Sequence, residues 1–204
     1  FFCTFLCYAF TLNKMEINKF KMLEIIIYIL LPFILTNITI KILQPYLKKY
    51  LMDFPNKRSS HGYPKPTGGG LSFILVSSIC LAFFNNYLPF FCMPLALSGF
   101  IDDIKNTNFK IPYLIHFLTG LLIIYQSNYF LKLGLENNIL LVLIGYLFLA
   151  FFITSIINFS NFLDGIDGLL SSCFAVLFLI ASLKYDLSIL VIVSSIFAFI
   201  TWNW

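Results

Sequence analysis

The chain has 204 residues, of which 60% are hydrophobic and 11% charged, with a formal net charge of +4 and a mean hydropathy of +0.91. Soluble proteins are about half apolar and about a quarter charged, so the composition excludes an ordinary soluble domain. It indicates an all-α, polytopic integral membrane protein with a single membrane domain over residues 1–204. The small, scattered charge gives no reason to expect nucleic acid as a partner. Five cysteines without metal-ligand spacing predict neither disulfides nor a zinc site.

Hydrophobic runs predict seven transmembrane helices. A crossing takes about 17 to 25 apolar residues, fewer where interfacial residues complete it, and several of these runs are short. The runs are 22–43, 69–84, 87–101, 111–125, 139–157, 169–183 and 187–204. Pro32 is expected to kink the first helix. Residues 1–21 are interpreted as an N-terminal tail, with Met15 or Met22 as an alternative initiator.

The number of crossings predicts which loops share a compartment. With seven crossings, the loops at 44–68, 102–110 and 158–168 emerge on the same face of the membrane. That face carries more lysine and arginine than the other face, mainly in the first loop. Since basic residues are enriched on the cytoplasmic side, this face is predicted to lie in the cytoplasm.

Two adjacent carboxylates, Asp102 and Asp103, come where the third hydrophobic run ends. At a helix C-terminus they face the negative end of the helix dipole and repel each other, so the pair predicts a nearby cation. A solvated helix end is the alternative. An isoprenoid-diphosphate enzyme would need a third acid in an Asp-Asp-x-x-Asp motif, where this sequence has Asn106.

The first loop combines basic side chains with prolines and three glycines, and it includes Arg58, His61 and Gly68–Gly70. Positive charge and glycine N–H groups at the start of a helix can meet an anionic ligand. A contact with lipid headgroups followed by a plain helix start is the alternative, and the loop taken alone favours it.

Polar residues recur at every third position after the fifth hydrophobic run. They are Asn158, Asn161, Asp164 and Asp167. A continuing helix would align them in one polar stripe, whereas the alternative is a loop with Asx turns. An Asp-Gly pair also occurs in CDP-alcohol phosphotransferases, but the Ala-Arg and later acids of that pattern are missing here.

Taken in order, these motifs resemble those of the bacterial polyprenyl-phosphate N-acetylhexosamine-1-phosphate transferases, which are related to phospho-MurNAc-pentapeptide transferase. The matching residues are Asp53, Pro55, Arg58, His61, Pro64, Pro66 and Gly68–Gly70, then Gly99, Asp102 and Asp103, then Asn158, Asn161, Asp164, Asp167 and Gly168. The resemblance implies an enzyme that transfers a sugar 1-phosphate from a UDP-sugar to undecaprenyl phosphate and releases UMP. This reaction would begin assembly of a cell-envelope glycan such as O-antigen or a cell-wall polysaccharide.

The resemblance also implies roles for individual residues. It assigns three to catalysis: Asp102, Asp103 and Asp164. It assigns five to substrate binding: Asn158, Asn161, Asp167, Arg58 and His61. It implies Mg²⁺ as the cofactor, with Mn²⁺ as an alternative, bound by Asp102 and Asp103. It further implies an active site on the cytoplasmic side of the bacterial inner membrane among membrane lipids, and it leaves a homodimer open.

Sugar choice and chain length add two expectations. The sequence of the first loop and the Trp-Asn-Trp end resemble more closely those of the family branch that uses deoxy sugars, such as N-acetylfucosamine. Family members continue further, with another acid and a histidine-containing loop, so residues 22–204 are expected to be the N-terminal part of the bundle and inactive alone. The alternatives are a cation-coupled transporter, which would keep its acids in mid-span, and an inactive membrane subunit.

Overall fold

The computed structural model describes residues 22–53, 63–105, 107–127, 138–163 and 168–202. Within them seven α-helices follow in chain order, one for each predicted run. They are α1 Met22–Tyr50, α2 Gly70–Phe83, α3 Met93–Lys105, α4 Lys110–Ser127, α5 Ile139–Leu163, α6 Leu169–Lys184 and α7 Leu190–Ile200. Two short strands, β1 Met52–Asp53 and β2 Lys65–Pro66, form an antiparallel ladder between α1 and α2. The all-α fold class is confirmed.

The boundary of the third helix differs from the prediction. The third run begins as a 3-10 helix, Leu88–Cys92, and α3 then extends to Lys105, so both neighbouring acids lie in its last turn. At the polar stripe, α5 is described to Leu163, residues 164–167 lie outside the described part, and Gly168 has a left-handed backbone with φ of 70° before α6 begins. Glycine adopts this conformation without steric cost.

The helices differ in how completely they could cross a membrane. Two in the described part are long and apolar enough by length and composition, namely α1 and the stretch Ile139–Ser160 of α5. Their outward side chains are largely exposed, for example Phe148 at 69%, as expected where lipid provides the apolar surroundings. The 14 residues of α2 rise only about 21 Å, against about 30 Å of hydrocarbon. Flanking residues must therefore complete that crossing.

Two hydrogen bonds show that α1 and α7 run parallel. The Ser194 hydroxyl donates to the carbonyl oxygen of Ile29, and Trp202 Nε1–H donates to Asn37 Oδ1 at 2.7 Å. Both pairs are separated by 165 positions, so the two helices advance in the same direction, as the first and seventh crossings must. Pro32 lies inside α1, and the kink predicted there stays a prediction.

Helices α1 and α2 are antiparallel, and so are α4 and α5. The rings of Tyr28 and Phe84 lie 4.6 Å apart, which joins the start of α1 to the end of α2. Gly120 of α4 lies close to Ile153 of α5, where an added Cβ would be 3.4 Å from the isoleucine methyl. Further along α4 and earlier on α5, Ile124 and Ala150 belong to the same buried cluster. The end of α1, the start of α2, the turn between α3 and α4 and the end of α5 lie at one end of the bundle, which we call the motif end.

The largest core forms around α7, which packs against α1, α2 and α6. Leu81, Phe178, Val191 and Ile196 are fully buried there. A second cluster joins α4 to α5, and Leu95 of α3 packs against it. The acidic pair lies on α3 and the described start of the polar stripe on α5, and α4 packs against both helices.

Candidate functional site

The acidic pair lies at the motif end, where Asp102 is half-buried and Asp103 is exposed. Oδ1 of Asp102 accepts hydrogen bonds from the backbone N–H of Thr107, at 2.9 Å, and from the Thr107 hydroxyl. These two donors stabilise a carboxylate at the unfavourable end of the helix dipole. Asp102 is thus stabilised by its own turn, so its position at the helix end does not by itself require a cation.

Thr107 was missed by the sequence analysis. A threonine shortly after a helix that ends in an acid is a recognisable signal, because such side chains often close turns through local hydrogen bonds. The next residue, Asn108, accepts from the N–H of Lys110 at 3.2 Å and so caps α4. The turn between α3 and α4 is therefore fixed by its own side chains.

The end of the first loop packs against α3 close to the turn that carries the acidic pair. Gly68 has a φ of 79°, and a Cβ added there would lie 3.1 Å from the side chains of Leu51 and Phe100. Phe100 precedes Asp102 by two residues, so the loop and the acids belong to one region. The N–H of Thr67 donates to the Leu51 carbonyl at 2.8 Å and joins the two sides of the loop.

Packing accounts for two of the three adjacent glycines. Gly68 needs its left-handed backbone and its space, and a Cβ at Gly69 would lie 3.2 Å from the Phe199 ring. Gly69 also precedes α2, and its carbonyl accepts the Ser72 hydroxyl at 2.6 Å. These contacts agree with the plain helix start that the sequence analysis kept as the alternative. Arg58 and His61 lie outside the described residues.

The polar stripe is described only at its beginning. Asn158 is exposed near the end of α5, and its Oδ1 lies 3.2 Å from Nδ1 of His116 on α4. Asn161 belongs to α5, but its side chain is not described. Asp164 and Asp167 lie outside the described residues. The structure therefore shows one partner of the stripe, and sequence reasoning had not singled out His116.

The known ligand preferences of Mg²⁺ can be compared with these residues. Mg²⁺ binds one or two carboxylates together with substrate phosphates and water, and Asp102 and Asp103 are acids of this kind. The hydrogen bonds described for Asp102 both go to Oδ1. No group of three His, Cys, Asp or Glu residues capable of holding a metal occurs among the described residues. The acid pair fits a site that is completed by substrate.

Positive charge dominates the described side chains of the motif end. The exposed lysines there are Lys48, Lys49, Lys105 and Lys110. The acids of the same end are Asp53, Asp102 and Asp103. An excess of lysine lowers the cost of bringing an anionic ligand to these carboxylates.

Fold and charge define an all-α membrane protein whose two adjacent acids lie at the same end of the bundle as the glycines of the first loop and Asn158. Residues 85–204, more than half of the chain, match the family described as Glycosyl transferase family 4. The chain belongs to this family, which confirms the resemblance seen in its motifs. No solved structure matches the chain significantly.

Three similar proteins are named undecaprenyl-phosphate alpha-N-acetylglucosaminyl 1-phosphate transferase. The Thermotoga maritima protein is 31% identical over 145 residues, which cover 70% of this chain and 45% of the relative. The Yersinia pestis protein is 31% identical over 144 residues, which cover 65% of this chain and 39% of the relative. The Escherichia coli K12 protein is 30% identical over 159 residues, which cover 72% of this chain and 43% of the relative. The chain thus spans less than half the length of these relatives.

Proposed function

We propose that the full-length protein transfers an N-acetylhexosamine 1-phosphate from a UDP-sugar to undecaprenyl phosphate and releases UMP. The observation that carries this proposal is the position of Asp102 and Asp103 in the last turn of α3, at the same end of the bundle as the glycine loop and Asn158. The names of the three relatives supply the reaction class. A cation-coupled transporter would keep its acids in mid-span, so acids at a helix end favour an enzyme over a transporter.

The proposed reaction is a phosphoryl transfer. An oxygen of the lipid phosphate attacks the phosphorus that carries the sugar, the bridging P–O bond of the diphosphate breaks, and its electrons leave with UMP. A phosphate monoester has a second pKa of about 6, so it is mainly a dianion at neutral pH and needs little help from a general base. Placing and neutralising two anions is therefore the larger task for the protein.

The described residues suit that task. The carboxylates of Asp102 and Asp103 would hold Mg²⁺, or Mn²⁺, which when bound neutralises charge on the diphosphate. Thr107 holds Asp102 in place, and the exposed lysines Lys105 and Lys110 lie on either side of this turn. Beyond the described part, we assign Asp164 to catalysis and Asn161, Asp167, Arg58 and His61 to substrate binding on the strength of the family motifs.

The transferred sugar is proposed to be N-acetylglucosamine, because the names of all three relatives specify it. This differs from the deoxy sugar suggested by the spelling of the first loop. We further propose that the motif end faces the cytoplasm, where nucleotide sugars are made, and that the product begins a cell-envelope glycan.

Transfer of radiolabel tests the proposal. Membranes that contain the full-length protein are incubated with UDP-N-acetylglucosamine labelled in the sugar, undecaprenyl phosphate and Mg²⁺, and the lipid fraction is counted. We expect label in the lipid fraction, release of UMP, and loss of both with EDTA. Asp102→Asn and Asp103→Asn should each reduce transfer by about 100-fold or more, because they remove charge at the site of the diphosphate.

Asp186→Asn serves as the matched control. Asp186 is an acid at the opposite end of the bundle, where its carboxylate accepts from the Ser188 N–H at 2.8 Å, and asparagine caps a helix as well as aspartate does. This variant should keep nearly full activity. Unchanged transfer in both Asp102→Asn and Asp103→Asn would overturn the site assignment, and a lipid fraction without label in the wild type would overturn the proposed reaction.

A further inference from the structure

His116 is a buried polar residue that the proposed reaction does not use. It lies in the second turn of α4, near the motif end, with 5% of its surface exposed. Its Nδ1 is 3.2 Å from Oδ1 of Asn158 on α5. The asparagine itself is exposed, so a buried imidazole holds a side chain that a ligand can reach.

The packing of α4 against α5 does not by itself require the hydrogen bond between His116 and Asn158. The two helices already meet through a buried apolar cluster formed by Ile124, Ala150, Ile153 and Ile157. A buried imidazole costs free energy unless it is hydrogen-bonded, and an apolar side chain of similar size would avoid that cost. The pair lies at the motif end of this interface, where ligand binding is proposed.

The direction of the hydrogen bond determines what the asparagine offers. Oδ1 can only accept, so Nδ1 of His116 must carry the proton, and the imidazole is the donor. The amide is planar with its oxygen and nitrogen on opposite sides. Fixing Oδ1 on the imidazole therefore turns the two N–H donors of Nδ2 away from α4, where they can meet an acceptor oxygen.

We infer that His116 is a positioning residue that fixes the Asn158 amide so that its N–H groups bind an acceptor oxygen of the nucleotide sugar. The inference rests on the proposed function and goes beyond it, because it assigns the Asn158 amide to the donor substrate and His116 to the orientation of that amide. His116 itself does not touch the reacting atoms.

Steady-state kinetics of the full-length enzyme test this assignment. His116→Phe keeps an aromatic ring but removes the donor, and it should lower kcat/KM for UDP-N-acetylglucosamine about tenfold, roughly the value of one hydrogen bond. The KM for undecaprenyl phosphate should stay within about twofold of wild type. His116→Gln, which can still donate, should restore kcat/KM to within about threefold.

A double-mutant cycle separates positioning from a general structural role. Asn158→Ala should lower kcat/KM for the nucleotide sugar, and adding His116→Phe to it should cause little further loss, since His116 acts through the asparagine. Thr119→Val on the same helix is the matched control, because Thr119 is also a buried polar residue, at 2% exposure. It should leave kcat/KM near the wild-type value.

Asn158→Asp provides a second test if the His116→Phe protein is not produced in folded form. Aspartate can still accept from the imidazole but has no N–H to offer, so kcat/KM for the nucleotide sugar should fall about tenfold. Independent, multiplicative losses in the cycle, equal losses for both substrates, or full activity of Asn158→Asp would overturn the inference. Absence of transfer by the wild type would instead overturn the proposed function, and the inference with it.

Discussion

Thr107 and Asp102 are joined by two hydrogen bonds that close the turn after α3, one from the backbone N–H at 2.9 Å and one from the hydroxyl. The contact orients a carboxylate next to the exposed Asp103. Because an unsupported side chain would sample several rotamers, this turn gives one acid of the pair a defined position before any ligand arrives.

Replacing the hydroxyl of Thr107 tests the value of that position. Thr107→Val keeps the shape and the backbone donor but removes the side-chain donor, so transfer activity should fall about tenfold. Thr107→Ser keeps the hydroxyl and should stay within about threefold of wild type. The measurement is the rate of label transfer at saturating substrates. Equal activity of the two variants would show that the hydroxyl bond does not matter for the site.

Stability should respond oppositely to alanine at two glycines of the motif end. Gly68→Ala places a Cβ on a left-handed backbone, 3.1 Å from the side chains of Leu51 and Phe100, and should lower the free energy of unfolding by about 1 to 3 kcal/mol. Gly99→Ala has no atom within 4 Å of the new Cβ, lies inside α3, and should be neutral or stabilising by up to about 1 kcal/mol.

Thermal unfolding of the detergent-solubilised protein provides the comparison between these variants. The midpoint should fall for Gly68→Ala and stay level or rise for Gly99→Ala. If both variants unfold at the same temperature as wild type, the described packing of the first loop against α3 is wrong.

Sidedness can be measured with single cysteines in a background that lacks the native ones. Tyr63→Cys and Asn108→Cys lie at the motif end, whereas Tyr87→Cys and Asn138→Cys lie at the opposite end, and all four positions are exposed. An impermeant thiol reagent added to intact cells should label only the second pair, since the motif end is proposed to face the cytoplasm. Labelling one member of the first pair but not the other would contradict a shared compartment.

The bond between α1 and α7 makes a separate stability prediction. Trp202→Phe removes the Nε1 donor to Asn37 and should lower the free energy of unfolding by about 0.5 to 1.5 kcal/mol, as expected for a hydrogen bond between membrane helices. On an Asn37→Leu background the same change should cost less. Thermal unfolding of the four proteins gives the coupling, and additive effects would show that the two side chains do not interact.

Sequence reasoning located the helices well but not their ends. The seven apolar runs correspond to the seven described helices. This agreement is expected because a helix that crosses a membrane needs a run of apolar residues. The last turn of α3 was missed because two acids and a lysine interrupt the apolar pattern, although the helical backbone does not require apolar side chains. The left-handed conformation of Gly168 depends on the local backbone, which a three-residue repeat does not specify.

Some residues of the candidate site could be identified from the sequence, and others could not. Asp102, Asp103 and Asn158 were identifiable because polar side chains beside apolar runs are costly unless something binds them. The roles of all eight predicted site residues stay predictions, and Arg58, His61, Asp164 and Asp167 lie outside the described residues. Thr107 was missed although its position after the acids carries a signal, whereas Phe100 and His116 were not found because a phenylalanine and a histidine at such positions are compatible with many environments.

The amino-acid sequence alone determined that this is an all-α membrane protein and predicted that its acidic motifs share one face, because hydrophobicity and the parity of crossings depend only on residue order. Tertiary structure decided which side chains meet. His116 and Asn158 lie 42 positions apart, and their contact exists only because the close approach of α4 and α5 brings them together. Contacts between distant positions depend on packing geometry, which no local pattern of residues records.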